Sequence, residues 1–155
     1  MMQLTLAEAL EVEDLDLGTS RWFHVDQERI NGFAEATEDR QWIHVDEERA
    51  RETEIGTTIA HGYLMMSLLP TLFFELVEFT DMGRMINFGL DKVRFIAPVP
   101  SGSDVCLKAR LISGRKRLGG VLMRIRGEIF LRSTGRRALS TEVLFLALPE
   151  SGADE

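Results

Sequence analysis

The chain has 155 residues, 45% apolar and 28% charged, which suits one globular domain with a full-sized core. Its formal net charge of −7 is repelled by phosphate backbones, so nucleic acid is excluded as a main partner. Cys106 is alone, which rules out an intrachain disulfide and points to a reducing cytoplasm.

In chain order, the opening MMQLTLAEALEVEDLD is acidic and lacks the basic-then-apolar order of a signal peptide. Residues 1–80 carry 5 basic against 17 acidic side chains, whereas residues 81–155 carry 13 against 8, so an anionic small ligand would meet the second half. Asp26 and Asp46 read as N-caps of two short helices, with Glu28, Glu47 and Glu48 favoured by the dipole in the first turns. Each aspartate ends a His-Val-Asp tripeptide, His24 in one and His44 in the other, an echo too short to be a repeat architecture.

Residues 61–79, HGYLMMSLLPTLFFELVEF, are apolar on every side of a helical wheel and predict one long buried helix, kinked at Pro70. They do not read as a membrane span, which needs about 20 apolar residues with few charges; His61, Pro70, Glu75 and Glu78 interrupt them. After Gly83 the period becomes two. Strands are expected over 90–100, 104–111, 121–131 and 140–148, with turns at Gly119-Gly120 and Ser133-Thr134-Gly135. The order predicts an α+β fold: an antiparallel sheet wrapped around one long buried central helix. A single domain over 1–150 and a flexible tail over 151–155 complete the expected organisation.

The residues that could carry chemistry lie between the short helices and the long one. Asp39 in TEDRQW stands five residues before His44, and a carboxylate with an imidazole suits proton transfer near neutral pH. The same spacing also suits a turn carboxylate and a satisfied buried histidine ahead of an N-cap, and spacing alone leaves both readings open. Gly62 opens the buried helix, where unpaired N–H groups could face a developing oxyanion; a close-packing glycine is the plainer alternative. His24, His44 and His61 show no recognised metal-ligand spacing, so no metal is expected.

Phe33-Ala34, Thr37, Asp39, Ile43-His44 and Asp46, followed by Ile59-Ala60-His61-Gly62, Leu64 and Ser67-Leu68, carry a resemblance. With NFGLDKVRFIAPVPSGSDV at 87–105, they resemble the MaoC-like hydratases/dehydratases (hydratase 2) over about 33–147. The pair Gln41-Trp42, where that family usually has Asn-Pro, is closer to its nodulation-protein-N-like branch.

The resemblance implies a hot-dog fold, a homodimer and hydration of a trans-2-enoyl-CoA or enoyl-ACP to the (R)-3-hydroxyacyl thioester, or the reverse. It implies Asp39 and His44 as the catalytic pair activating water. Gly62, Gln41, Trp42, Ala60 and His61 would form the oxyanion and substrate-binding set, with His61 capping the helix or fixing its loop. Neither metal nor redox cofactor is implied, and coenzyme A enters only as part of the substrate. Arg115-Lys116-Arg117 could meet its phosphates, although such a hairpin tip is more often simply solvated. The alternatives are a hot-dog acyl-CoA thioesterase and a non-catalytic acyl-thioester binding module.

Overall fold

The chain enters through a short strand β1 (Met2–Leu4), whose successor α1 (Leu6–Leu10) is held at its start by a Thr5–Glu8 capping box. Next come β2 (Glu13–Thr19), β3 (Phe23–Val25) and α2 (Gln27–Thr37). Then follow two short helices, α3 (Trp42–Val45) and α4 (Glu47–Arg51). The computed structural model describes residues 1–150; the expected tail 151–155 lies outside the described residues.

Asp26 and Asp46 cap α2 and α4 as expected, accepting from the Arg29 and Arg49 N–H groups at 2.8 and 3.0 Å. The apolar segment after His61 departs from expectation. It forms α5 (Gly62–Ser67) and α6 (Leu69–Phe73), broken at Leu68, because Pro70 brings no N–H to the Met66 carbonyl. Beyond Phe73 the helix stops, and β4 (Val77–Phe79) pairs in parallel with β1. An apolar run alone does not separate helix from strand.

Four long strands follow: β5 (Met82–Phe95), β6 (Ser103–Arg117), β7 (Gly120–Leu131) and β8 (Arg137–Pro149). With β2 they form an antiparallel sheet in the order β2-β6-β7-β8-β5, and β3 also pairs with β6. The β6–β7 turn is centred one residue earlier than expected, on Leu118 and Gly119, both at positive φ. Gly120 is already in the strand, where any Cβ would overlap the Ala147 carbonyl oxygen.

The sheet wraps α5 and α6. Phe73 lies with its ring centroid 5.1 Å from that of Phe145, and Leu72, Leu107, Leu111, Met123, Ile125, Ile129 and Leu139 fill the same buried layer. Removing an aromatic from such a layer typically costs about 3–5 kcal/mol. One stripe of the helical segment remains outside it. Tyr63 is 64% exposed and Phe74 41% exposed, so this helix is not buried all round.

Candidate active site

Helix α2 ends where Glu38 adopts the left-handed conformation, and this turns the chain so that Asp39 follows outside the helix. Arg40 reaches back to Glu35 at 2.8 Å, tying the turn to the last part of α2. After Gln41, α3 carries His44 into the interior. Two bonds join α3 to the loop before α5: the Ile59 N–H donates to the Ile43 carbonyl at 2.9 Å, and His44 Nδ1 lies 2.7 Å from the Ile59 carbonyl oxygen.

That second bond assigns the tautomer. A carbonyl oxygen can only accept, so His44 Nδ1 carries the proton and Nε2 is left as a base. Burial pushes the His44 imidazole below the ordinary histidine range, and a charge on His61 acts in the same direction. The Ile59 hydrogen bond and the Asp39 carboxylate oppose this without reversing it. A buried imidazole that stays neutral beside a carboxylate is suited to general-base work.

Asp39, His44 and His61 offer donor atoms that all lie within 4.8 Å of one another. Two histidines and a carboxylate are a metal-ligand set in type. Their geometry does not suit one: the His44 and His61 rings are stacked, centroids 3.8 Å apart and planes 24° apart. Lone pairs lie in the ring planes, and nearly parallel planes do not converge on a point about 2 Å from both nitrogens.

The remaining candidates fall in different places. Gly62 begins α5, and its N–H is among the first-turn groups without an intrahelical acceptor. A Cβ at Gly62 would come within 2.7 Å of the Phe95 ring, so glycine keeps this ring close over the helix start. Ala60 is not an oxyanion donor: its N–H is taken by the Val99 carbonyl at 2.8 Å. His61 does not cap α5, since its side chain makes no cap bond and its Nε2 instead meets the Asp39 main-chain oxygen at 2.9 Å. Gln41 is exposed at the start of α3. Trp42 lies under the Arg49 guanidinium at 4.0 Å and lines a cavity of about 80 Å³ with Ile43, Ala50 and Ile55.

Sequence reasoning missed the brace behind His44. Gln27 Nε2 donates to the His44 carbonyl at 2.7 Å, and the Thr58 hydroxyl bonds to Gln27 Oε1. The only hint in the sequence was polar residues beside an N-cap and in a small-residue loop. A groove of about 410 Å³ runs between Met66, Ser67 and Pro70 of the helical segment and Phe88 and Leu90 of β5. Ser67 itself back-bonds to the Tyr63 carbonyl at 2.8 Å, as expected of a helical serine.

A family profile described as "MaoC like domain" matches residues 10–123. The chain belongs to the MaoC-like family. Within it, the chain is 42% identical over 125 residues to Nodulation protein N of Rhizobium meliloti (strain 1021), covering 79% of this chain and 78% of that one. It is 49% identical over 96 residues to 3-hydroxyacyl-thioester dehydratase Z of Mycobacterium tuberculosis, covering 62% of this chain and 64% of the relative. Among solved structures, the unliganded R-hydratase PhaJ1 of Pseudomonas aeruginosa superposes with a TM-score of 0.73 at 23% identity, over 94% of this chain and 86% of that one. The (R)-hydratase of A. caviae gives 0.69 at 24% identity, over 87% and 98%. The MaoC-like chain thus has the hot-dog fold, its sheet wrapped around a helical segment that is split rather than continuous.

Proposed function

We propose that this protein is a hydro-lyase that adds water to a trans-2-enoyl thioester to give the (R)-3-hydroxyacyl thioester, or runs the reverse dehydration. The observation that carries this is the buried His44, its Nδ1–H held by Ile59 and its Nε2 left free near the Asp39 carboxylate. Family membership and a relative named as a 3-hydroxyacyl-thioester dehydratase support the same reading.

Asp39 and His44 activate one water together. His44 Nε2 takes a proton from it while the oxygen bonds to C3 of the substrate and the C2–C3 π electrons move toward the thioester. The charge gathers on the thioester oxygen, which the Gly62 N–H faces, and a proton returned to C2 completes the addition. Every electron and proton comes from water and substrate, so the reaction calls for neither a metal nor a redox cofactor. The groove beside Met66, Ser67 and Phe88 starts one helical turn from Gly62 and suits the acyl chain of the thioester.

The thioesterase alternative uses a carboxylate on the central helix. Here Glu75 follows α6 and is bound to Arg21 at 2.7 Å, and Glu78 lies on β4 bound to Gln3 at 3.0 Å. Neither is placed for that task. The working assembly in this proposal is a homodimer of a single domain, located in the cytoplasm; among the described residues, no helix is long and apolar enough to cross a membrane. The deciding assay follows enoyl-thioester absorbance with purified protein and crotonyl-CoA, then a longer chain, with chiral analysis of the product. Formation of the (R) isomer is expected; the (S) isomer, or free coenzyme A as the sole product, overturns the reading.

A further inference from the structure

The mechanism leaves one buried imidazole unused. His61 is 1% exposed, with the His44 ring stacked on it at 3.8 Å and the Phe33 ring 4.9 Å away, its plane tilted 55°. Its Nε2–H donates to the Asp39 main-chain oxygen, and its Nδ1 is buried with no hydrogen-bond partner. An unpaired buried nitrogen destabilises a fold, and an apolar ring of similar shape would avoid the penalty. Capping does not account for the histidine, since it makes no cap bond to α5.

We propose that His61 is a positioning residue for the acid–base pair: its N–H fixes the main chain that carries Asp39, while its ring face fixes the plane of His44. This deepens the hydratase reading and rests on it. Asp39 needs such support. It lies outside α2 and α3, just after the left-handed Glu38, and its own N–H reaches only the Thr37 hydroxyl at a long 3.5 Å. His44 arrives from a separate helix, with its carbonyl held by Gln27 and its Nδ1–H held by Ile59. Those bonds leave rotation of the ring plane to be set by what it stacks on. His61 touches both partners, so a single side chain sets their separation. Misplacement of reacting groups by about 1 Å can cost on the order of a hundredfold in rate, so such a brace is worth an unpaired nitrogen.

The titratable groups facing His44 are Asp39 from the loop after α2 and His61 from the entry to α5. The other residues packed here are Gln27 and Phe33 of α2 and Thr58, Ile59 and Ala60 of the loop, none of them ionisable. The Nε2–H tautomer of His61 carries no charge, so what a variant at 61 changes at His44 is the placement of the Asp39 carboxylate, whose attraction holds the midpoint up.

Two variants separate the two contacts. His61→Gln places an amide N–H near the Nε2 position without a ring, and His61→Phe keeps a ring without an N–H. Steady-state kinetics on crotonyl-CoA are paired with NMR titration of His44 in substrate-free protein and with thermal melting; His24→Ala serves as the exposed control. We expect kcat to fall roughly ten- to a hundredfold in each variant with KM within about threefold, and the His44 midpoint to move to lower pH in His61→Phe, which releases the main chain that holds the Asp39 carboxylate nearby. In the wild type, nitrogen chemical shifts should report His61 as the Nε2–H tautomer. Folded variants with wild-type kcat and an unmoved His44 overturn the proposal. So does a loss of turnover that only tracks the loss of folded protein. The Nδ1–H tautomer in the wild type overturns it even if neither variant folds. Should wild-type protein fail to turn over any enoyl thioester, the hydratase reading falls, while the titration and the tautomer still decide the role of His61.

Discussion

His24 and His44 begin the same tripeptide and precede the same kind of N-cap, yet the fold gives them opposite environments. His24 lies on β3 with its side chain 59% exposed, Nδ1 2.8 Å from Asp104. His44 is 6% exposed and shares its space with Asp39 and His61. Asp39→Asn and His44→Ala should each lower turnover by on the order of a hundredfold or more, the scale for losing a general acid or base. His24→Ala should stay within a few-fold of wild type; equal turnover in all three, with melting temperatures matched, would reduce TEDRQWIH to a turn. The pH profile carries a second expectation. His44 is held below the ordinary histidine value of about 6.5, so it stays a neutral base on the acid side of that value. Hydration should persist there and fail only below it. Stability has the same sign: the unfolded chain takes up the proton first, so stability is full above about pH 6.5 and declines as pH falls through the gap. A rate limb above that value in kcat/KM would contradict His44 as the base. Asp39, His44 and Gly62 were legible because their residue types and order match a family pattern. Gln27 and Thr58 were not, because a brace made through a main-chain carbonyl leaves no mark in spacing. The bond that takes the Ala60 N–H out of use as an oxyanion donor was hidden for the same reason, since its acceptor lies 39 positions away.

At the scale of elements, the four long strands were read from alternation and the caps from Asp26 and Asp46, while the helix 61–79 was read too long. Its apolar run covers a helix, a break, a second helix and a strand, and each buries apolar side chains equally well. β5 was read over 90–100 but runs from Met82 to Phe95: Ile86, Phe88 and Leu90 alternate with Asn87 and Gly89 as a strand does, yet stand 43, 39 and 42% exposed, and the chain leaves the strand after Phe95. The bracing elements make their own prediction. Gln27→Ala removes the link between α2, the His44 carbonyl and Thr58, leaving buried polar groups unpaired at a cost of about 1–3 kcal/mol. Turnover should drop as the α3 end loosens, with a lower melting temperature; unchanged values in both would mean that α3 is held by the Ile43–Ile59 and His44–Ile59 bonds alone. Gly120→Ala tests a distant element. Its Cβ would overlap the Ala147 carbonyl, so β7 and β8 must part, at the roughly 1–3 kcal/mol typical of overpacking. The melting temperature should fall with kcat per folded molecule unchanged.

At the scale of the whole molecule, the two ends of the sheet are finished differently. The β2 edge carries Glu13, Asp14 and Asp16 and a register shift between Asp16 and Gly18, the charges and bulge that keep an edge from pairing. The β5 edge has a 14-residue strand and the exposed Ile86, Phe88, Leu90 and Phe95, with Tyr63 and Phe74 of the helical segment also exposed. A long apolar edge left open invites aggregation unless a partner covers it. A second copy joined β5 to β5 would extend the sheet antiparallel across a two-fold axis and cover the same patch on both chains. It would also lie beside the Met66–Phe88 groove and over Phe95, which contacts the helix start at Gly62. A stable pairing of this kind buries roughly 800 Å² per partner, and one apolar strand edge with its flanking helix stripe can supply that. Sedimentation should therefore find a dimer at micromolar concentration. Ile86→Arg with Phe88→Glu places charges at the centre of the edge, away from Asp39 and His44, and should yield monomer. The monomer's turnover should fall, because Phe88 lines the groove and the groove also opens to water, with the acid limb of His44 still below its ordinary value. A wild-type monomer at micromolar concentration, or a charged-edge variant that remains dimeric, would place the interface elsewhere.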